Sequence, residues 1–156
     1  MNRERFFELV ENPCTPYIVV ELIYVIITII FLAKLEYFNK LLSQNFDIDQ
    51  MVVQKDVMIA KDVMAFEKNT SWDYLLFGVG LIIIAFVIPI VSYLINKSSY
   101  KREEVKVAID MIVVAMIVIN IIIIFSISKA LLSPIIIATL ILCAVGVVFT
   151  IGDSQS

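Results

Sequence analysis

Histidine is absent from this chain of 156 residues, and cysteine occurs only twice. The lack of histidine excludes Ser-His-Asp and Cys-His catalysis and any metal site built on imidazole. Cys14 and Cys143 form no CxxC pair and no metal-binding spacing. No Gly-rich phosphate-binding motif occurs either. We therefore predict that the protein is not an enzyme and binds no cofactor and no metal.

Charged residues are also scarce. They make up 17% of the chain, against roughly a quarter in soluble domains. Hydrophobic residues make up 61%, and the mean hydropathy is +0.97. A single soluble domain of this length cannot bury so much apolar surface. The net charge of −3 argues against a nucleic-acid partner. The composition thus predicts an integral membrane protein whose first partner is the lipid bilayer.

Four apolar segments are long enough to cross a bilayer, which takes about 20 residues in a helix. They cover about 17–34, 74–96, 107–128 and 130–152. A tight hairpin at 127–129 joins the last two. Because the backbone must satisfy its own hydrogen bonds in lipid, such runs become helices. We predict an all-α integral membrane protein of a cell membrane. Its single domain, 1–156, is a bundle of four transmembrane helices.

Two segments outside these spans also have helical patterns. Residues 3–11 (RERFFELVE) predict an interfacial amphipathic helix before the first span, the alternative being a disordered tail. The extramembrane segment 35–73 is rich in charge and first continues helix 1. It then predicts an amphipathic helix whose apolar face packs on helix 1, lies on the membrane or docks a partner. That face comprises Ile48, Met51, Val52, Met58, Ile59, Val63 and Phe66, and the partner-docking candidates are Met58, Ile59 and Val63.

Placing a polar residue inside a membrane costs free energy, so each such residue is a candidate for a structural or functional role. Helix 1 carries four of them on one face that should point inward: Tyr17, Glu21, Tyr24 and Thr28. Glu21 and Asp110 lie a few residues from the same side of the membrane. Together they predict an ion or proton site. Alternatively, both acids reach interfacial water or pair with nearby Lys or Arg.

Three further features concern packing. Pro89 removes a backbone N–H, which frees a carbonyl and kinks its helix. Asn120 lies near mid-membrane and predicts an interhelical hydrogen bond, or alternatively a pore-lining role. A stripe of small residues predicts a packing face within the chain or between protomers. Its members are Thr139, Cys143, Gly146 and Thr150.

The distribution of Lys and Arg sets the expected orientation. The two sides of the membrane carry equal numbers, but Lys97, Lys101, Arg102 and Lys106 are concentrated in one short loop. This density predicts that both termini are cytoplasmic. Four helices leave little space inside one protomer, so we predict a homo-oligomer or a subunit of a membrane complex. The leading hypothesis is an oligomeric ion channel or pore-like effector. The alternative is a non-conducting accessory subunit, immunity protein or adaptor that docks a partner through 35–73.

Overall fold

The computed structural model describes residues 12–99, 103–132 and 134–153. For residues 69, 99 and 147–153 it describes the backbone only. Over these residues the chain is helical and contains no strand. The five helices are α1 (Thr15–Asn45), α2 (Ile48–Gln54), α3 (Val57–Ser99), α4 (Glu103–Leu132) and α5 (Pro134–Asp153). The predicted surface helix at 3–11 lies outside the described residues.

Three helical segments are long and apolar enough to cross a membrane. They are Thr15–Asn45, Thr70–Ser98 and Glu103–Leu132, which cover the first three predicted spans. Many of their large apolar side chains face outward, as lipid contact requires. The fourth predicted span, 130–152, does not coincide with a single helix, because residues 127–132 belong to α4. The hairpin predicted at 127–129 is therefore wrong.

The change of helix falls instead at Pro134, whose ring disfavours helical backbone at the residue before it. Pro134 is the first residue of α5, a position where its missing N–H costs nothing. The described apolar part of α5, Pro134–Gly146, is shorter than the three membrane-length segments.

The polar segment contains two helices where one amphipathic helix was predicted. Lys55 ends α2 in a left-handed conformation with φ of 53°. The Asp56 side chain then accepts hydrogen bonds from the N–H groups of Met58 (2.8 Å) and Ile59 (3.2 Å) and so caps α3. This break divides the predicted apolar face. Met51 and Val63 are fully buried, whereas Met58 is 77% exposed.

A sharp bend interrupts α3 at Glu67 and Lys68, whose φ angles are 46° and 60°. Ser71 Oγ donates to the Val63 carbonyl at 2.6 Å across this bend. In a straight helix, residues eight apart are separated by about 12 Å. The bond therefore shows that the chain folds back on itself before the second membrane-length segment begins.

The chain, predicted as one domain, contains two compact packing units. The first comprises Met1–Ile30 and Leu81–Phe125, and the second Phe31–Gly80 and Ser126–Ser156. In the first unit α3 runs antiparallel to α4, because Asn120 bonds Ala85 at one end of the pair and Asp110 bonds Asn96 at the other. It also runs antiparallel to α1, because Tyr24 bonds Leu81 and the earlier Tyr17 lines a pocket with the later Ser92. A core around Tyr17, Ile109, Val113 and Met116 holds these helices together.

The second unit is built around aromatic and apolar side chains. Phe38 stacks on Tyr74 with ring centres 4.8 Å apart, and Phe46 meets Phe66 edge-on at 5.4 Å. Helix α2 packs against α5. The fully buried side chains here include Leu35, Leu42, Met51, Leu131 and Ile135. The polar segment 35–73 thus has a hydrophobic core, which it shares with the end of α4 and the start of α5.

Gly78 lies in this second unit where helices approach closely. A Cβ at Gly78 would lie 2.6 Å from Leu131 Cδ1 and 3.2 Å from Phe31 Cζ, whereas one at Gly80 would meet nothing within 4 Å. Gly78→Val should therefore lower the free energy of unfolding by about 1–3 kcal/mol through overpacking. The matched Gly80→Val should lower it much less. Denaturant unfolding in detergent micelles measures both, and equal losses would contradict the close contact at Gly78.

Candidate functional site

All four polar side chains on the predicted face of α1 are buried in the first unit. Thr28 Oγ1 donates to the Tyr24 carbonyl at 3.0 Å, one turn earlier in the same helix. The Tyr24 hydroxyl donates to the Leu81 carbonyl of α3 at 3.1 Å. Tyr17 packs against Ile109 and neighbouring residues of α4. Three members of the face thus have an evident packing or hydrogen-bonding role.

Glu21, the fourth member, differs from the others. Its side chain is 7% exposed, and neither carboxyl oxygen has a hydrogen-bond partner among the described residues. The one ion pair in the described part of the chain joins Lys40 to Glu36 at the surface. Glu21 lines a cleft of about 320 Å³ between α1 and α4 whose other walls are apolar, among them Ile112, Ala115 and Met116. A buried carboxyl without a partner is costly and needs an explanation.

Asn120 on α4 is a second buried polar side chain of the first unit. It is 2% exposed. Its Nδ2 donates to the Ala85 carbonyl of α3 at 3.0 Å. That carbonyl lies four residues before Pro89, which has no N–H to give it. Asn120 therefore replaces the backbone hydrogen bond that Pro89 removes from α3.

The same arrangement recurs in the second unit. Asn39 Nδ2 donates to the Ala130 carbonyl at 2.8 Å, and the residue four positions after Ala130 is Pro134. In both cases the asparagine Oδ1 is buried without a hydrogen-bond partner. Analysis of the sequence missed Asn39. The signal that could have found it is the carbonyl left free four residues before each helical proline.

Asp110, the second acid of the predicted ion site, has a different environment. It is exposed, and its Oδ1 accepts a hydrogen bond from Asn96 Nδ2 at 2.8 Å. The same Asn96 amide group donates to the Lys106 carbonyl at 3.1 Å. Asp110 lies ten residues, or about 15 Å of helix, from Asn120. The structure thus pairs Asp110 with Asn96, a partner that the sequence did not single out, and the two acids line different cavities.

A second cavity, a groove of about 610 Å³, runs between α3 and α4. Pro89, Asp110 and Asn120 line it together with apolar side chains such as Phe86 and Ile117. The groove opens on a different pair of helices from the cleft at Glu21.

The remaining predicted residues lie in the second unit. Thr139 Oγ1 donates to the Ile135 carbonyl at 2.9 Å and lies 3.5 Å from Met64 Sδ. Cys143 and Gly146 are exposed. Thr150 lies among the residues whose side chains are not described. In the docking candidate, Ile59 is half-buried and Val63 is fully buried, so Met58 presents the accessible surface.

Within the described ranges, no group of three or more Cys, Asp or Glu side chains is arranged to hold a metal ion. Comparison with known proteins finds no matching family model, no matching curated protein and no matching solved structure. The buried Glu21 carboxyl is therefore the feature of this chain that points most directly to a function.

The link between Asn120 and Pro89 predicts a measurable coupling. Asn120→Leu should lower the free energy of unfolding by about 0.6–2 kcal/mol, the usual range for interhelical hydrogen bonds in membranes. In a Pro89→Ala background the loss should be smaller, because residue 89 then supplies an N–H to the Ala85 carbonyl. Unfolding of the four proteins in micelles gives the coupling energy.

Asn39→Leu provides the matched control for this cycle. Its carbonyl partner, Ala130, depends on Pro134 and not on Pro89, so its cost should be the same in both backgrounds. If Asn120→Leu also costs the same in both backgrounds, Asn120 does not compensate for Pro89.

Proposed function

We propose that this protein is a non-enzymatic, oligomeric ion channel or pore-like effector of a cell membrane, with the conducting path beside the polar face of α1. The observation that carries this proposal is the Glu21 carboxyl, buried among apolar side chains with no hydrogen-bond partner. Ionisable groups inside membrane segments are rare and usually mark ion or proton pathways. Packing does not explain Glu21, because an apolar residue would fill the same place at lower cost.

The proposal centres the site on Glu21 and not on a Glu21–Asp110 pair. Asp110 is exposed and already has a hydrogen-bond donor in Asn96. The cleft at Glu21 opens at the side of the α1–α4 pair and holds about 320 Å³. A path through one protomer is therefore narrow, and a second protomer seated along α1 and α4 supplies its other wall.

The proposed topology has four spans, with α5 as the fourth, and both termini in the cytoplasm. The concentration of Lys and Arg between α3 and α4 supports this orientation. A single cysteine introduced at position 101, after Cys14→Ser and Cys143→Ser, should resist a membrane-impermeant thiol reagent added to intact cells. It should react once the membrane is permeabilised. Labelling of intact cells would reverse the proposed orientation.

Ion flux through proteoliposomes tests the channel directly. The wild-type protein should pass ions, and Glu21→Gln should abolish the flux or change its selectivity, because the amide keeps the shape and removes the ionisable group. Glu36→Gln is the matched control, since Glu36 lies at the surface in an ion pair with Lys40. It should leave the flux unchanged. Absence of flux under every gradient and voltage would overturn the proposal.

One observation favours the second candidate, a non-conducting accessory subunit, immunity protein or adaptor. The turn between α2 and α3 exposes apolar side chains in an otherwise polar segment, Val53 at 80% and Met58 at 77%. Such a patch is typical of a protein interaction site. Under this alternative, Met58→Glu should abolish the biological effect and Glu21→Gln should leave it intact. The channel proposal expects the opposite result for both variants.

A further inference from the structure

The groove between α3 and α4 has the size of a small-molecule binding site. Its volume of about 610 Å³ lies within the usual range of roughly 300–1,000 Å³ for such sites. On α4 its wall extends from Asp110 to Ile124, which corresponds to about 21 Å of helix. Along most of this length the lining side chains are apolar, among them Phe86, Val114 and Ile117. The groove is therefore shaped for an elongated apolar molecule.

One end of the groove carries an acid and an aromatic ring. Asp110 is the first residue of the wall on α4, and its hydrogen bond to Asn96 places this end beside the α3–α4 connection. Tyr93 lies one turn before Asn96 in α3 and lines the same end. Both Asp110 and Tyr93 are exposed. A carboxyl group and an aromatic ring thus stand together where the groove opens.

Asp110 has no positively charged partner among the described residues. Lys106 lies one turn before it in α4, and Lys97 directly follows Asn96 in α3. Neither lysine lines the groove, and side chains of this length extend readily toward interfacial water. The Asn96 amide is an uncharged donor and takes one of about four acceptor positions that a carboxylate offers. The carboxylate therefore keeps free positions and lacks a counter-charge.

We propose that this groove is a binding site for hydrophobic cations. These are molecules in which a single positively charged group, an ammonium or a phosphonium, carries large apolar substituents. The charged group lies at the end formed by Asp110 and Tyr93, where the acid balances its charge and the ring attracts it. The apolar part extends along the groove past Ile117. The site is separate from the proposed ion path, because Glu21 lines a cleft between other helices.

An acyl chain of the bilayer is the competing occupant. It fills the same apolar walls, but it leaves Asp110 without a counter-charge. Opposite charges attract more strongly near a protein surface than in bulk water, so a cation gains an interaction that the acyl chain lacks. A metal ion fits less well, because hard cations take about six or more oxygen ligands and Asp110 is the one acid in the wall.

Equilibrium dialysis of labelled tetraphenylphosphonium against the full chain in micelles of an uncharged detergent tests the site. Asp110→Asn should weaken binding by about tenfold or more, because it removes the counter-charge. The new amide keeps an oxygen that accepts from Asn96, so the contact between α3 and α4 is preserved. Glu36→Gln is the matched control. It removes one surface acid outside the groove and should leave binding unchanged.

A second pair of variants tests the groove without changing any charge. Ile117→Trp fills the groove and should also weaken binding strongly. Val118→Trp places the same ring on the next residue, which is 55% exposed and lines neither the groove nor the cleft at Glu21. It should bind tetraphenylphosphonium like the wild type.

Tetraphenylborate, an anion of nearly the same shape, tests the role of charge in the unaltered protein. The wild type should bind tetraphenylphosphonium more tightly than tetraphenylborate. Equal affinity for the two ions, or equal binding of the cation by wild type and Asp110→Asn, would show that the groove holds acyl chains without regard to charge. Binding that survives Ile117→Trp but not Asp110→Asn would place the cation outside the groove. Loss of binding in Glu21→Gln alone would move it to the other cleft. Each of these four results contradicts the proposed site, and none of them bears on whether the protein conducts ions.

Discussion

A backbone carbonyl inside a membrane must have a hydrogen-bond donor, and two prolines in this chain each leave one without its helical partner. Asparagine side chains from neighbouring helices supply the missing donors. Asn120 serves the Ala85 carbonyl before Pro89, and Asn39 serves the Ala130 carbonyl before Pro134. These bonds join α4 to α3 in the first unit and α1 to α4 in the second. In lipid the hydrophobic effect does not hold helices together, so such hydrogen bonds act beside van der Waals packing.

Donors are also scarce for two other buried polar groups of the first unit. Asn120 gives one N–H to α3, and its own carbonyl oxygen has no hydrogen-bond partner among the described residues. The Glu21 carboxyl on α1 is buried without a donor as well. The packing of these helices thus satisfies the carbonyl that Pro89 leaves free but not the polar atoms of Glu21.

Sequence periodicity was enough to locate the three membrane-length helices and the polar face of α1, because both follow from the spacing of apolar and polar residues. The surroundings of Glu21 could not be predicted in the same way. Counting from the ends of the spans pairs Glu21 with Asp110, but the vertical offset of two helices depends on packing. The sequence also did not predict the end of α2 at Lys55. A glycine usually marks such a left-handed position at a helix end, but here the residue is lysine.

The two acids of the membrane segments show why burial matters more than position in a span. Asp110 is exposed and accepts a hydrogen bond from Asn96, so its carboxyl has a polar partner at the helix surface. Glu21 is buried, and its oxygens have no such donor. The hydrogen bond of Asp110 also ties together the two ends of the α3–α4 connection. No contact in the described chain compensates the burial of Glu21, and this difference is the reason why the site of the proposed channel is centred on Glu21 and not on Asp110.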